Sequence, residues 1–375
     1  MAVDWMGDGR PLAGQPHTNC ATPDEQSDGR ERPIRSRAVA AFNDRCPNIV
    51  FVAQQSPTMQ LGYWPLFDAL EQARSVLIAG AGGGFDVYSG LPLFFALKES
   101  GKEVHLANLS FASLPPDEEL RVSPKCVRIT ADTPYSATYF PEHQLAAWFR
   151  LRHQMEVPVY SFPQTGVVPL VAAYRKLHEL LALDAVVLVD GGTDSLMRGD
   201  EVGLGTPVED ATSMAAVARS GIPHQYLACI GFGVDTYHGV CHSQFLEAVA
   251  DLVRSGAFLG VSAVLAEMPE GKKFLDAVDF ANERTPGRQS IVANSIAASI
   301  EGHFGDHHRI ARTKSSRLWI NPLMPIYWAF TLQAVVERNL YIDTLYETES
   351  MADVSHQIAI FREQCGKRTW DEIPL

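Results

Sequence analysis

From Ser75 onward, short apolar runs alternate with longer stretches in which apolar residues recur every three or four positions. The short runs predict strands at 76–79, 103–108, 126–130, 157–161, 185–190 and 225–230. The longer stretches predict helices at 92–100, 142–153, 167–182, 208–219, 243–255, 271–283, 288–300 and 325–338, and 64–74 has the spacing of a further short helix. Runs such as Ala185-Val-Val-Leu-Val-Asp190 are apolar throughout rather than alternating, as in strands covered on both faces. Strands separated by helices imply βαβ units. The expected fold is therefore α/β: a Rossmann-like, doubly wound, mostly parallel sheet with helices on both faces and a largely helical C-terminal part.

Residues 1–45 break this rhythm. They are rich in Gly, Pro, Asp, Arg, Ser and Gln, a composition that buries too little apolar surface to offset the entropy of ordering. They are expected to form a disordered N-terminal extension to a single α/β domain over 60–375, with Ile49–Ala53 a candidate added strand. The 375 residues suffice for a large core, and a hydrophobic share of 46% fits a globular protein. A net charge of −13 argues against nucleic-acid binding through a broad basic surface, but leaves room for a locally basic pocket. The six cysteines form no CxxC pair, so neither a disulfide framework nor a zinc finger is indicated. No basic-then-apolar leader and no long apolar span stand out, and the expected setting is cytoplasmic, away from membranes.

In open parallel sheets, ligands bind outside the carboxyl ends of the strands, where the strand order reverses. Three loops rich in glycine and acids follow strand candidates here. The first runs from Gly80 to Asp86. Gly80, Gly82, Gly83 and Gly84 remove every Cβ but that of Ala81, so backbone N–H groups could approach a phosphate closely at the start of a helix. Glycines in a tight strand–helix crossover also serve packing alone, and an Asp before a helix also serves as its cap. The dehydrogenase fingerprint fails, because its third glycine position is Phe85 and the second strand ends in Asn108 instead of an acid.

The second loop, Asp190–Glu201, holds Asp190, Asp194, Asp200 and Glu201, with Gly191 and Gly192 beside the strand end and the hydroxyls of Thr193 and Ser195. Such a set can hold magnesium, orient sugar hydroxyls or act in acid–base catalysis, and the same residues also form ordinary turns. The third loop, Gly231–His242, supplies Asp235, His238 and His242. The i, i+4 spacing of the histidines would put both on one helix face if the helix began by Tyr237. No Glu stands between them as in zincins, so a lone histidine acting as base or donor is the stronger reading than zinc. Further on, His303, Asp306, His307 and His308 precede Arg309, Arg312, Lys314 and Arg317, the most basic short window of the chain and a candidate for neutralising a phosphate or carboxylate.

Gly80-Ala-Gly82 followed by Ser89-Gly-Leu-Pro92 resembles the sirtuin-type nucleotide loop, which implies an NAD-like ligand; the sirtuin Gln-Asn-x-Asp segment is absent. Over residues 65–345 the chain resembles the "domain of unknown function 1152" family, through Gly80–Pro92, Asp190–Ser195, Gly231–His238, Ser299–Asp306 and Asn321–Met324. That resemblance implies the fold and no reaction. The function expected is an enzyme that binds a nucleotide-like or phosphorylated small molecule over Gly80–Gly84 and Ser89. It would catalyse hydrolysis or group transfer through Asp86, Asp190, Asp194 and His238, with Gly191, Gly192 and Asp235 on the ligand. Magnesium and association of copies are compatible with this reading. The rival reading is a non-catalytic nucleotide sensor.

Overall fold

The computed structural model describes residues 64–135 and 138–372. The expected extension over 1–45 and the candidate strand at Ile49–Ala53 lie outside the described residues. In chain order, β1 (Ser75–Gly80), β2 (Glu103–Ser110), β5 (Val159–Pro163), β6 (Ala185–Asp190) and β7 (His224–Cys229) pair in parallel and form the centre of one nine-stranded sheet. β3 (Arg121–Ser123) and β4 (Cys126–Ile129) extend one edge in antiparallel fashion. β8 (Phe258–Ala263) and β9 (Ile326–Thr331) extend the other, giving the order β3-β4-β5-β2-β1-β6-β7-β9-β8.

Within the parallel centre the order is that of a Rossmann sheet. The chain moves outward from β1 through β2 to β5, then returns to the other side of β1 with β6 and β7. The reversal falls between β1 and β6, where a crevice opens beyond the carboxyl ends. Register puts Gly80 beside Val189 and Asp190 beside Cys229, so the three predicted loops leave the sheet side by side.

Alternation along the strands sends side chains to opposite faces. Val76 and Ile78 join one core, under α2 (Asp86–Ser89), α3 (Leu91–Glu99), α4 (Pro141–His153), α8 (Pro269–Arg284) and α9 (Ile291–Ile300), with Phe94, Trp148 and Phe274 fully buried. Leu77 and Ala79 join the other, under α5 (Val167–Leu181), α6 (Pro207–Ala218), α7 (His242–Arg254), α10 (Leu332–Arg338) and α11 (Met351–Gln364). The short α1 (Pro65–Ala69) covers the β8 side. The doubly wound α/β architecture is thus present, with helices on both faces.

One local expectation is corrected. The candidate helix at 325–338 is β9 followed by α10. Ile326-Tyr-Trp-Ala-Phe-Thr331 is aromatic and β-branched, and it pairs with β7 and β8 instead of coiling. The candidate strand at 126–130 is present as β4, antiparallel to β5.

Candidate functional site

Gly80 ends β1, and Ala81 remains in the sheet through a 2.9 Å hydrogen bond from its N–H to the Val189 carbonyl. The chain then turns sharply, with Gly83 and Gly84 at φ of +87° and +61°, a region costly for any residue with a Cβ. The loop is pinned from both sides. The Gly84 N–H donates to the Leu109 carbonyl at 2.9 Å, and the Asn108 amide donates to the Gly84 carbonyl at 2.8 Å. Asn108, which fails the dinucleotide fingerprint, is therefore a strut of the loop. It also donates to Glu142 at 2.7 Å, and burial raises the Glu142 carboxyl to about 7.

Asp86 does not cap α2. Its Oδ2 reaches back and accepts the Gly82 N–H at 2.7 Å. The N–H groups of Ala81, Gly82 and Gly84 thus all find acceptors within the protein. What the glycines make room for is carboxylate. A Cβ on Gly82 would stand 2.8 Å from Asp86 Oδ2 and 3.0 Å from Asp210 Oδ1. One on Gly191 would stand 2.7 Å from Asp86 Oδ1, and one on Gly192 would stand 2.5 Å from Asp235 Oδ2. Gly205, at φ +70°, gives way to Asp194 in the same manner.

Five aspartates gather here from separate elements. Asp190, at the end of β6, is held through Oδ2 by the Ser195 hydroxyl at 2.6 Å and the Ser195 N–H at 3.2 Å. Asp194 accepts the N–H and hydroxyl of Thr206 at 2.7 and 3.0 Å. Asp235, beyond β7, accepts the Thr193 N–H at 2.7 Å. Asp210 comes from the first turn of α6, and one turn later Ser213 donates to the Ala81 carbonyl at 2.6 Å, which clamps that helix face onto the glycine loop. One oxygen each from Asp86, Asp190 and Asp210 lies within 4.8 Å of the others. Among the described residues no Arg or Lys pairs with any of the five.

Burial and mutual repulsion act together on this set. Burial raises Asp86 to about 7, with the Gly82 N–H opposing and Asp194 adding. Burial also lifts Asp190, Asp210 and Asp235 well above the usual carboxylate range, reinforced in each by Asp194. Asp194 rises for the same first reason, checked by Thr206.

Next to the cluster lies a cavity of about 690 Å³. Gly233, Asp235 and His238 line it together with Arg312, Ser316, Arg317 and Trp319, whose ring lies against Gly233. Val292 links cavity and cluster: it lines the cavity, and its Cγ1 would meet a Cβ on Gly191 at 3.2 Å. Arg312 donates to the Gln289 carbonyl at 2.8 Å, and neither Arg312 nor Arg317 meets a carboxylate among the described residues. Arg309 does not share this freedom, since its guanidinium is spent on Glu301 and Asp279.

Of the predicted residues, the structure brings together Asp86, Asp190, Asp194, Asp235, Gly82, Gly191 and Gly192. Ser89 is buried beside Gly191, with its carbonyl accepting the Tyr327 hydroxyl. Gly80 is pressed against Asn108, whereas Gly83 and Gly84 turn toward Leu109, Phe111 and Tyr139. His238 is exposed on the cavity wall and acts electrostatically on Asp194.

The histidine pair is corrected. His238 ends a 3-10 turn, Gly239 follows at φ +87°, and His242 begins α7, so no helix face carries both. The His242 ring instead meets the Thr236 hydroxyl at 2.9 Å and packs on Phe232 and Trp319. Asp200 and Glu201 leave the site altogether and pair with Arg198 and Arg368. Asp210 is the member that sequence reasoning missed, because an acid in the first turn of a helix is its commonest favourable place.

Among the described residues no helix is long and apolar enough to cross a membrane. No curated protein and no solved structure matches the chain at a significant level, so the sirtuin-type likeness of the glycine loop rests on its residues alone. A family described as "protein of unknown function (DUF1152)" matches residues 125–364. The matched stretch takes in Asp190, Asp194, Asp210, Asp235, His238, Arg312 and Arg317, and begins after the glycine loop. The chain belongs to that family.

Proposed function

We propose that the protein is an enzyme that binds a phosphorylated or nucleotide-like small molecule in the cavity and carries out hydrolysis or group transfer on it. The observation that carries this reading is the make-up of the cavity lining: two arginines without carboxylate partners among the described residues, together with Asp235 of the carboxylate cluster. In this reading Arg312 and Arg317 take the anionic group. The reacting bond then lies toward Asp235 and His238, which can exchange a proton with it. The glycine loop serves the carboxylates rather than the phosphate, since its Ala81, Gly82 and Gly84 N–H groups already have acceptors. A cavity of about 690 Å³ is of the size that encloses a metabolite or a mononucleotide.

The test is a panel of nucleotides and phosphate esters, followed both by thermal shift and by product formation. Arg312→Ala with Arg317→Ala is expected to raise KM by about tenfold or more, and Asp235→Asn to lower kcat by about a hundredfold. A ligand that shifts melting without giving product would favour a non-catalytic sensor. Turnover on an identified substrate that neither Asp235→Asn nor His238→Ala changes would overturn the assignment of roles.

A further inference from the structure

We infer that Asp86, Asp190 and Asp210 form the binding site of a hard divalent cation, magnesium or manganese in type, at the reversal of the sheet. The inference rests on the proposed function for what the cation would do, and on the carboxylates alone for where it sits. One oxygen from each of the three lies within 4.8 Å of the others, so small side-chain movements bring all three onto one ion. All the donors are carboxylate oxygens, the set that suits magnesium or manganese over zinc or copper.

Clustered acids alone would be weak grounds. Asp210 supplies the independent observation. It is 2% exposed, and its Oδ1 has no hydrogen-bond partner. That oxygen points to where Gly82 lacks a Cβ, 3.0 Å from the position such a Cβ would take. An unpaired carboxylate oxygen enclosed in protein is costly unless something meets it, and a cation meets it without needing a hydrogen. The other two ligands are already aimed, Asp190 by the Ser195 hydroxyl and Asp86 by the Gly82 N–H, as ligating carboxylates are held in metal centres. Among the described residues no Arg or Lys neutralises the three, so their charge is met from outside the chain, by protons or by a cation. The cation would sit in the same carboxylate cluster as Asp235, which lines the cavity with Arg312 and Arg317.

The experiment uses the full chain, stripped with EDTA and desalted. Manganese chloride is titrated calorimetrically and by the electron paramagnetic resonance of free Mn²⁺, with magnesium chloride as competitor and choline chloride matching ionic strength. One Mn²⁺ per chain, displaced by Mg²⁺, is expected. Asp210→Asn and Asp190→Asn should each weaken it at least ~10-fold, whereas Asp117→Asn on the surface should leave it unchanged. Absence of manganese-specific binding up to about 10 mM, beyond the weakest natural divalent sites, would overturn the inference, as would binding that both site variants retain.

Should a variant fail to fold, Fe²⁺/ascorbate cleavage of the unsubstituted protein decides. Cuts beside Gly82, Asp190 and Asp210 that Mg²⁺ suppresses support the site, and cuts elsewhere refute it. Inorganic phosphate and pyrophosphate titrated in EDTA separate this inference from the functional reading. Phosphate binding that depends on Arg312 and Arg317 without any Mn²⁺ binding sinks the cation alone. Mn²⁺ binding without any phosphate binding sinks the phosphate-handling reading alone.

Discussion

Asp190 and Asp194 stand at one end of a twelve-residue loop, Asp200 and Glu201 at the other, and the two pairs live in opposite electrostatic worlds. All four are carboxylates in one segment after one strand. Glu201 is fully buried, yet it accepts the N–H groups of Arg198 and Gly199 at 3.0 and 2.8 Å and lies 3.3 Å from Arg368. Asp200 forms ion pairs with Arg198 and Arg368, and Arg362 donates to the Gly199 and Glu201 carbonyls, so this end of the loop fastens the C-terminal segment. Asp190 and Asp194 have hydroxyls and N–H groups but no cation, and three further aspartates face them. Buried charge that the chain neutralises itself holds the fold together. Buried charge that it leaves open is a place for something else.

The comparison is broken most forcefully at its compensated end. Glu201→Ala orphans the buried N–H of Gly199 and the half-buried N–H of Arg198 and removes one acid from Arg368, and it is expected to lower unfolding free energy by about 3–5 kcal/mol. Urea denaturation checks this. A loss below about 1 kcal/mol would mean that the ion-pair network is ornamental and that burial of acids here separates nothing.

Glu142 is the intermediate case, a fully buried acid whose side-chain partner is the neutral amide of Asn108. Burial raises its carboxyl from the ordinary 4.5 to about 7. A carboxyl raised on folding binds its proton more tightly in the native state. Its contribution to stability is therefore fully present below pH 4.5 and is lost as pH rises through about 7, amounting to about 3 kcal/mol. Glu142→Gln should remove that part of the slope, so that the variant gains on the parent protein between pH 5 and pH 8. Melting curves across that range measure it. Parallel pH profiles for the two proteins would show that Glu142 ionises as an exposed glutamate does.

The glycines sharpen the open end. A Cβ on Gly192 would fall 2.5 Å from Asp235 Oδ2, and the backbone there needs no left-handed turn. Gly192→Ala is thus a pure test of space. It is expected to cost about 2 kcal/mol, most of which Asp235→Ala should restore in a double-mutant cycle. Additive losses would mean that Gly192 is needed for some reason other than the carboxylate.

How much of this was legible in the sequence follows from how local each cause is. The parallel strands could be read because a strand covered on both faces must be apolar along its length, as Val76–Ala79 and Ala185–Val189 are. β9 could not, because Ile326–Thr331 runs directly into the helical spacing of α10 and only its pairing with β7 separates the two. The glycine loop was visible as a loop, but its purpose was not. Whether Gly82 serves a phosphate or an aspartate depends on Asp210, 128 positions away and placed there by the Ser213 clamp on Ala81. The strand end favours Asp190 over Asp200 and Glu201, but of the two arginines that pair with Asp200 only Arg198 is near in sequence, and Arg368 lies far along the chain.

The smallest expected effect tests the comparison by its sign. Asp210→Asn keeps the shape of the side chain, takes one acid out of an uncompensated set, and adds N–H donors that Asp86 and Asp190 can accept. In metal-free buffer the variant should melt at the parent temperature or above it, with a gain of about 1 kcal/mol, where Glu201→Ala loses several. With Mg²⁺ present the order should reverse, because only the parent gains binding free energy in the folded state. Melting both proteins in EDTA and in Mg²⁺ measures this crossing directly. If Asp210→Asn were destabilising in EDTA, Asp210 would belong with Glu201, as an acid whose charge the fold itself requires.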